Sequence, residues 1–266
     1  MYKTYFGLRE KPFGKTPDPR FLFLSRGHDE ALARLEYAVE EREIALLTGD
    51  VGCGKTTLSR ALMDRCGASC RFVLIFNPRM GGMEFLRTVA HGFEINLPAR
   101  TKDDLLRQIT GALYELYRAG ISPVLVIDEA QTINDLEVFD EIRLLTNYQL
   151  DHHNLLSVLI MGQPELRTIL RCQQMEPLRQ RIALQYHLQP LSLEETMEYL
   201  DFRVTAAGGV AGLFTPDALQ TIHELSGGVP RRINALATNA LLVAYGADAA
   251  MVDAAIVHEV RDEVLF

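Results

Sequence analysis

The chain has 266 residues, enough for one large domain or two smaller ones with an ample core. Hydrophobic residues at 48%, charged residues at 23% and a formal net charge of −8 describe an ordinary soluble globular protein and exclude a strongly basic nucleic-acid footprint over the chain as a whole. No apolar run approaches the roughly 20 residues that a bilayer-spanning helix needs, and the start Met1-Tyr2-Lys3-Thr4-Tyr5-Phe6 lacks the apolar stretch of a signal peptide.

Residues 1–28 read as an irregular arm. Pro12, Pro17 and Pro19 break any helix, while Tyr5, Phe6, Leu8, Phe13, Phe21, Leu22 and Phe23 are too apolar for a loose tail, so the arm is expected to pack on the core. A helix follows from about Asp29 to Glu40, with Ala31, Leu32, Leu35 and Val39 on one stripe. Strands and helices then alternate. Strands are expected at 44–48, Arg71–Phe76, 124–127, Leu155–Met161 and Ala183–His187, with helices from the first strand to about Cys66, over 82–92, from Thr101 to about Ala119 and over 135–147, and short ones up to about Arg181. Thr101 with Asp104 three residues on is a capping-box pattern, and Val124-Leu125-Val126-Ile127 is the unbroken apolar run of a buried parallel strand.

After Pro190 the strands stop. Ser192 with Glu195 caps a helix to about Ala207, Thr215-Pro216-Asp217 starts another, Pro230 a third, and a short fourth lies near 252–262. The glycine-rich run 206–212 reads as a flexible link. The expected organisation is thus an aromatic arm over 1–28, an α/β domain over 29–190 with a parallel sheet, and a small all-helical domain over 191–266.

Two motifs carry chemistry. Gly49-Asp50-Val51-Gly52-Cys53-Gly54-Lys55-Thr56, followed by Thr57, fills the pattern G-x-x-x-x-G-K-[ST] between an apolar strand and a helix. Its glycines let the backbone wrap a phosphate chain, and the helix N-terminus adds unpaired N–H groups. Lys55 is placed to reach the β- and γ-phosphates of a nucleoside triphosphate and the Thr56 hydroxyl to hold Mg²⁺. The strand at 124–127 ends in Asp128-Glu129-Ala130-Gln131. Carboxylates at a strand's C-terminal edge lie where open α/β sheets place ligands; Asp128 suits Mg²⁺ held through water, and Glu129 suits an attacking water. Cys53, Cys66, Cys70 and Cys172 form no metal-binding pattern and read as reduced cytosolic thiols, with Cys53 open to oxidation or alkylation. His152-His153 reads as a solvated loop. His28 either approaches the nucleotide base with the arm or caps the helix at Asp29.

These features together resemble an AAA+ ATPase. More narrowly, Tyr5-Phe6-Gly7-Leu8, Pro12-Phe13, Pro17-Asp18-Pro19, Phe21-Leu22-Phe23-Leu24-Ser25, His28 and Glu30-Ala31-Leu32 are similar to the start of the general secretion pathway protein A (ExeA-type) ATPases. Gly162-Gln163-Pro164-Glu165-Leu166, Leu178-Arg179-Gln180-Arg181-Ile182, His187-Leu188 with Pro190-Leu191, and Gly228-Val229-Pro230-Arg231-Arg232-Ile233-Asn234 continue the match over nearly the whole chain. The resemblance implies ATP and Mg²⁺ as cofactors, a five-stranded parallel sheet and a helical lid. It implies Arg231 over the terminal phosphates, an arginine finger at Arg181 or next to it at Arg179 acting on a neighbouring subunit, and Asn77 restraining Glu129. Gln163 is the polar residue nearest the sensor position after the strand that ends at Met161, where the family pattern expects a small polar residue.

The resemblance further implies a homo-oligomer, either a hexameric ring or a filament. Its partner is expected in secretion, pilus or surface-polymer assembly, in the cytoplasm or peripheral to the inner membrane through that partner. The longer secretion-pathway proteins continue into a membrane span, whereas this sequence runs to Phe266 with no span of its own. The alternatives are a DNA-binding ATPase regulating transposition on duplex DNA, since such regulators share a similar core, and a nucleotide-gated scaffold with negligible hydrolysis.

Overall fold

The computed structural model describes residues 1–14, 19–95, 98, 101–147, 149–150 and 153–264. Pro17, Asp18 and His152 lie outside the described residues. In chain order the elements are α1 (Tyr2–Tyr5), α2 (Arg26–Glu40), β1 (Ile44–Gly49), α3 (Lys55–Cys66), β2 (Cys70–Phe76), α4 (Gly82–Gly92), α5 (Lys102–Arg118), β3 (Ser122–Asp128), α6 (Glu137–Leu145), β4 (Gln149–Leu150), β5 (His153–Asn154), β6 (Ser157–Gly162), α7 (Glu165–Arg171), α8 (Glu176–Arg179), β7 (Ile182–Leu188), α9 (Leu193–Ala206), α10 (Pro216–Ser226), α11 (Pro230–Gly246) and α12 (Ala254–Val264). They divide into two compact units, one of Met1–Gly27, Asp50–Thr57 and Gln189–Phe266, the other of His28–Gly49 and Leu58–Leu188.

The second unit is built on a five-stranded sheet in the order β2-β3-β6-β1-β7 with every neighbouring pair parallel. β1, β3 and β6 are buried along nearly their whole length, as strands covered on both faces must be, which is why they read as continuous apolar runs. Amphipathic α4, α5 and α6 turn Phe85, Leu86, Val89, Ile109, Leu113, Phe139 and Ile142 into the core shared with Leu125, Ile127 and Ile160. Because all five strands run the same way, Gly49, Asp128 and Gly162 close β1, β3 and β6 at one edge of the sheet. That edge positions the chemistry. The small antiparallel ladder of β4 and β5 carries no apolar alternation of its own, and sequence pattern misses it.

The first unit is helical. α9 to α12 bury Leu200, Val204, Phe214, Ile222, Leu236, Leu241 and Val257 in a second core. Ser192 and Glu195 form the expected capping box on α9, and Thr215 caps α10 ahead of Pro216. The arm belongs here: Leu8, Phe13 and Phe21 share this helical core, whereas the sequence sets the arm on the core without distinguishing which of the two. The Arg203 guanidinium, buried on α9, donates to the carbonyls of Pro12 at 2.6 Å, Gly14 at 3.4 Å and Phe21 at 3.5 Å. The run read as a flexible link is a seat for the arm. Arg9 N–H donates to the Ala207 carbonyl at 2.8 Å, and a side chain on Gly209 would stand 2.7 Å from Leu8. α2 starts at Arg26 rather than Asp29 because Arg26 N–H is received by Glu195 Oε1 at 3.2 Å, a partner with no local signal. His28 is consequently inside α2 and buried, not a cap before it.

Candidate nucleotide-binding site

The loop from Gly49 to Thr56 joins β1 to α3 as its pattern requires. Gly49 is backed by β7: a Cβ there would stand 2.8 Å from the Leu188 carbonyl, and Thr48 Oγ1 lies 3.0 Å from His187 Nδ1. Gly52 and Gly54 adopt φ of +89° and +102°, a conformation that L side chains rarely reach, so the loop takes this course only with glycine at these two places. The Asp50 carbonyl accepts from Cys53 N–H at 3.2 Å and from Lys55 Nζ at 3.1 Å. Lys55, Thr56 and Thr57 form the first turn of α3, the end at which the helix dipole favours an anion. Lys55 and Cys53 are buried, Gly52, Gly54, Thr56 and Thr57 half-buried, and Asp50 and Val51 exposed. Burial pushes the Cys53 thiol above its ordinary range, the Asp50 charge adds to this, and Lys55 opposes it.

The same unit brings Arg231 to the loop. Arg231 N–H, at the start of α11, donates to the Gly52 carbonyl at 3.3 Å. A Cβ on Gly52 would stand 2.5 Å from Arg231 Cβ, so the absent side chain leaves the space that Arg231 uses. Pro230 at the first helical position leaves α11 without one donor that would have been unpaired in any case.

The other unit carries the carboxylates. Asp128, the last residue of β3, is 2% exposed, and its Oδ1 accepts from Glu129 N–H at 2.9 Å. Glu129 is held at φ +56° ahead of a single 3₁₀ turn over Ala130–Thr132. Its Oε2 accepts from Gln131 Nε2 at 2.5 Å and from Gln163 Nε2 at 3.1 Å. Gln163 therefore reaches Glu129 from the end of β6. Asn77 stands just past β2, exposed and at φ +53°, its carbonyl accepting from Arg79 N–H. Gln131 is the residue that sequence reading passes over; its only signal is its place two residues after Glu129.

The two arginines before β7 differ. Arg179 Nη1 donates to the carbonyls of Leu170 at 3.4 Å and Arg171 at 3.2 Å, closing the end of α7, and its guanidinium pairs with Glu176. Arg181 is exposed, with Nη1 3.3 Å from Thr146 Oγ1. Among the described residues no group of three or more His, Cys, Asp or Glu side chains could hold a metal ion by itself, and no helix is long and apolar enough to cross a membrane.

A family model described as an AAA domain matches residues 38–170. General secretion pathway protein A of Aeromonas hydrophila is 40% identical over 250 residues, which cover 92% of this chain and 45% of that protein. The chain therefore spans less than half the length of that relative. Among solved structures, Cdc6p from Pyrobaculum aerophilum matches with a TM-score of 0.72 at 19% identity, over 96% of this chain and 71% of that one. The ORC2 protein of Aeropyrum pernix, in its ADPNP-ADP complexes, matches with a TM-score of 0.71 at 17% identity, over 96% of this chain and 72% of that one. These two likenesses are likenesses of fold.

Proposed function

The chain belongs to the AAA domain family, with an α/β AAA+ phosphate-loop domain followed by a small helical domain, and from that premise we propose that it binds ATP with Mg²⁺ and hydrolyses it. The observation that carries the reading is the loop itself. Two positive-φ glycines lead the loop into the N-terminal turn of α3, and the buried Lys55 donates back to the Asp50 carbonyl of the same loop. A loop of this kind suits a polyphosphate.

The residues divide the work by charge. Gly49 to Thr57 supply backbone donors to the phosphates, and Lys55 neutralises the β- and γ-oxygens. Thr56 and Asp128 would be the oxygen donors for Mg²⁺, a hard cation that takes such ligands and usually keeps several waters. When bound, the ion neutralises charge on the phosphoryl oxygens. Glu129 polarises the attacking water, Gln163 steadies it, and Asn77 lies where it restrains Glu129 in the family resemblance. Arg231, already against Gly52, extends toward the terminal phosphates, and Arg181 completes the site of a neighbouring copy in a ring or filament. The likeness to General secretion pathway protein A favours a cytoplasmic motor or switch, peripheral to a membrane through its partner, that assembles or remodels a secretion-related complex.

The test is ATP binding and phosphate release by three proteins. Lys55→Ala is expected to lose nucleotide binding. Glu129→Gln is expected to bind ATP as wild type does and to release phosphate about 10²-fold or more slowly, the usual scale for removing a general base. Wild-type turnover by Lys55→Ala would refute the site, and wild-type turnover by Glu129→Gln would refute the role of the glutamate.

A further inference from the structure

Gln131 is engaged at both ends of its amide. Its Nε2 donates to Glu129 Oε2 at 2.5 Å, while its Oε1 accepts from the backbone N–H of Gln163 at 3.0 Å. A backbone N–H can only donate, so Oε1 must face it, and the amide NH₂ is thereby aimed at the carboxylate. Gln163 turns back with its own Nε2 on that same Oε2 at 3.1 Å. Two amide donors thus converge on one oxygen of Glu129, and one of them is fixed in turn to the chain leaving β6. Charge-assisted bonds of this kind are stronger than neutral ones.

The surroundings are built to admit this arrangement. Glu129 lies in the left-handed region at φ +56°, a conformation that costs a non-glycine residue free energy and is held by Thr132 Oγ1 donating to its carbonyl at 2.7 Å. A Cβ on Gly162 would stand 2.7 Å from Gln131 Oε1 and 2.8 Å from Leu166 Cδ2. The Gln131 amide has its seat because position 162 carries no side chain.

Resting on the reading of Glu129 as the residue that polarises water, we infer that Gln131 is a positioning residue for hydrolysis. It locks the Glu129 carboxylate to the end of β6 in one orientation, so that water meets a carboxylate already aimed. Gln131 touches neither phosphate nor metal in this role; it acts through Glu129. A group displaced by about 1 Å from its productive place can lose on the order of 10² in rate, which sets the scale of the effect.

Steady-state phosphate release and the Kd for ATP of Gln131→Ala, Gln131→Glu and Gly162→Ala test this, with melting temperature as the check on folding. Gln131→Ala is expected to lower kcat about 10- to 100-fold with Kd within twofold of wild type. Gln131→Glu keeps an acceptor for the Gln163 N–H but loses the donor and sets a second carboxylate against Glu129, so its kcat should be no higher than that of the alanine variant. Gly162→Ala, which crowds the amide and leaves Gln131 in place, should fall in the same direction. Wild-type kcat in Gln131→Ala overturns the inference; so does recovery in Gln131→Glu, which would show that only the acceptor mattered. A Kd loss as large as the kcat loss overturns it as well. If Gln131→Ala fails to fold, the other two variants decide. Glu129→Gln separates the two levels: turnover at the wild-type rate in that protein refutes the reading of Glu129, whereas slow Glu129→Gln beside a fully active Gln131→Ala refutes the positioning role alone.

Discussion

Cys53 lies between the two positive-φ glycines of the phosphate loop, where sequence alone leaves it open to alkylation. Burial decides otherwise: its side chain is 0% exposed, and desolvation pushes its thiol up, so the reactive thiolate is disfavoured. Cys66 is pushed up to about 12, first by burial and then by Cys70 beside it. Cys172 is exposed. Iodoacetamide labelling of the native protein near pH 8, mapped by mass spectrometry, should therefore modify Cys172 first and leave Cys53 untouched until denaturant is added. Labelling of Cys53 as fast as Cys172 would show that the loop opens freely. At this scale the spacing of residues 49–56 reveals the phosphate-loop pattern, but it carries no information about what covers Cys53.

Elements divide by the range of their causes. The capping boxes at Thr101 with Asp104 and at Ser192 with Glu195 are legible in the sequence because donor and acceptor sit three residues apart. The pairing that ties α5 to α6 is not. Lys102, at the first position of α5, donates to Glu141 on α6, whose side chain is 0% exposed, and also to Glu137 at 3.4 Å. Lys102 meets Oε1, and Glu141 Oε2 has no hydrogen-bond partner among the described residues. Removing the ammonium leaves a buried carboxylate uncompensated, so Lys102→Met should cost about 2 kcal/mol, below the roughly 3–5 of a fully buried pair because Lys102 stays 39% exposed. The hydrogen bond that Lys102 donates to Glu141 raises the Lys102 pKa above its unfolded value. Its contribution is therefore full below the ordinary lysine range and is lost as pH rises through the raised folded value. Urea unfolding of both proteins from neutral to alkaline pH checks this: the gap between wild type and variant should hold at neutral pH and close in strong alkali. A gap that persists unchanged in strong alkali would contradict the assignment.

For the whole molecule, the proposed hydrolysis calls on a second copy of the chain. An arginine that completes a neighbour's site has to be exposed and able to leave its own subunit's contacts. Arg179 is half-buried, seals the end of α7 and pairs with Glu176, whereas Arg181 is exposed beside Thr146. If Arg181 acts in trans, mixing inactive Arg181→Ala with inactive Lys55→Ala protein should restore phosphate release, because mixed contacts pair an intact loop with an intact arginine. Absence of any recovery at concentrations where copies associate would count against Arg181. Arg179→Ala should instead lower the melting temperature, since it releases two helix-end carbonyls and an ion pair.

By itself the sequence determined the order of the five sheet strands and of the longer helices, the phosphate loop, the carboxylate pair at the end of β3 and the helix caps. Each of these is written within a few residues, in a strand period, a helix period or a turn that only glycine can make. Tertiary structure alone decided that the arm packs with the helical unit, that Gln131 and Gln163 hold Glu129, that Arg231 rests on Gly52, and that Arg179 and Arg181 part company. The reason is separation along the chain. Gln163 and Glu129 are 34 residues apart, and Arg203 and Pro12 are 191. Such pairs meet only when two cores have closed and parallel strands have brought their ends to one edge, and no local period encodes which side chains will then face each other.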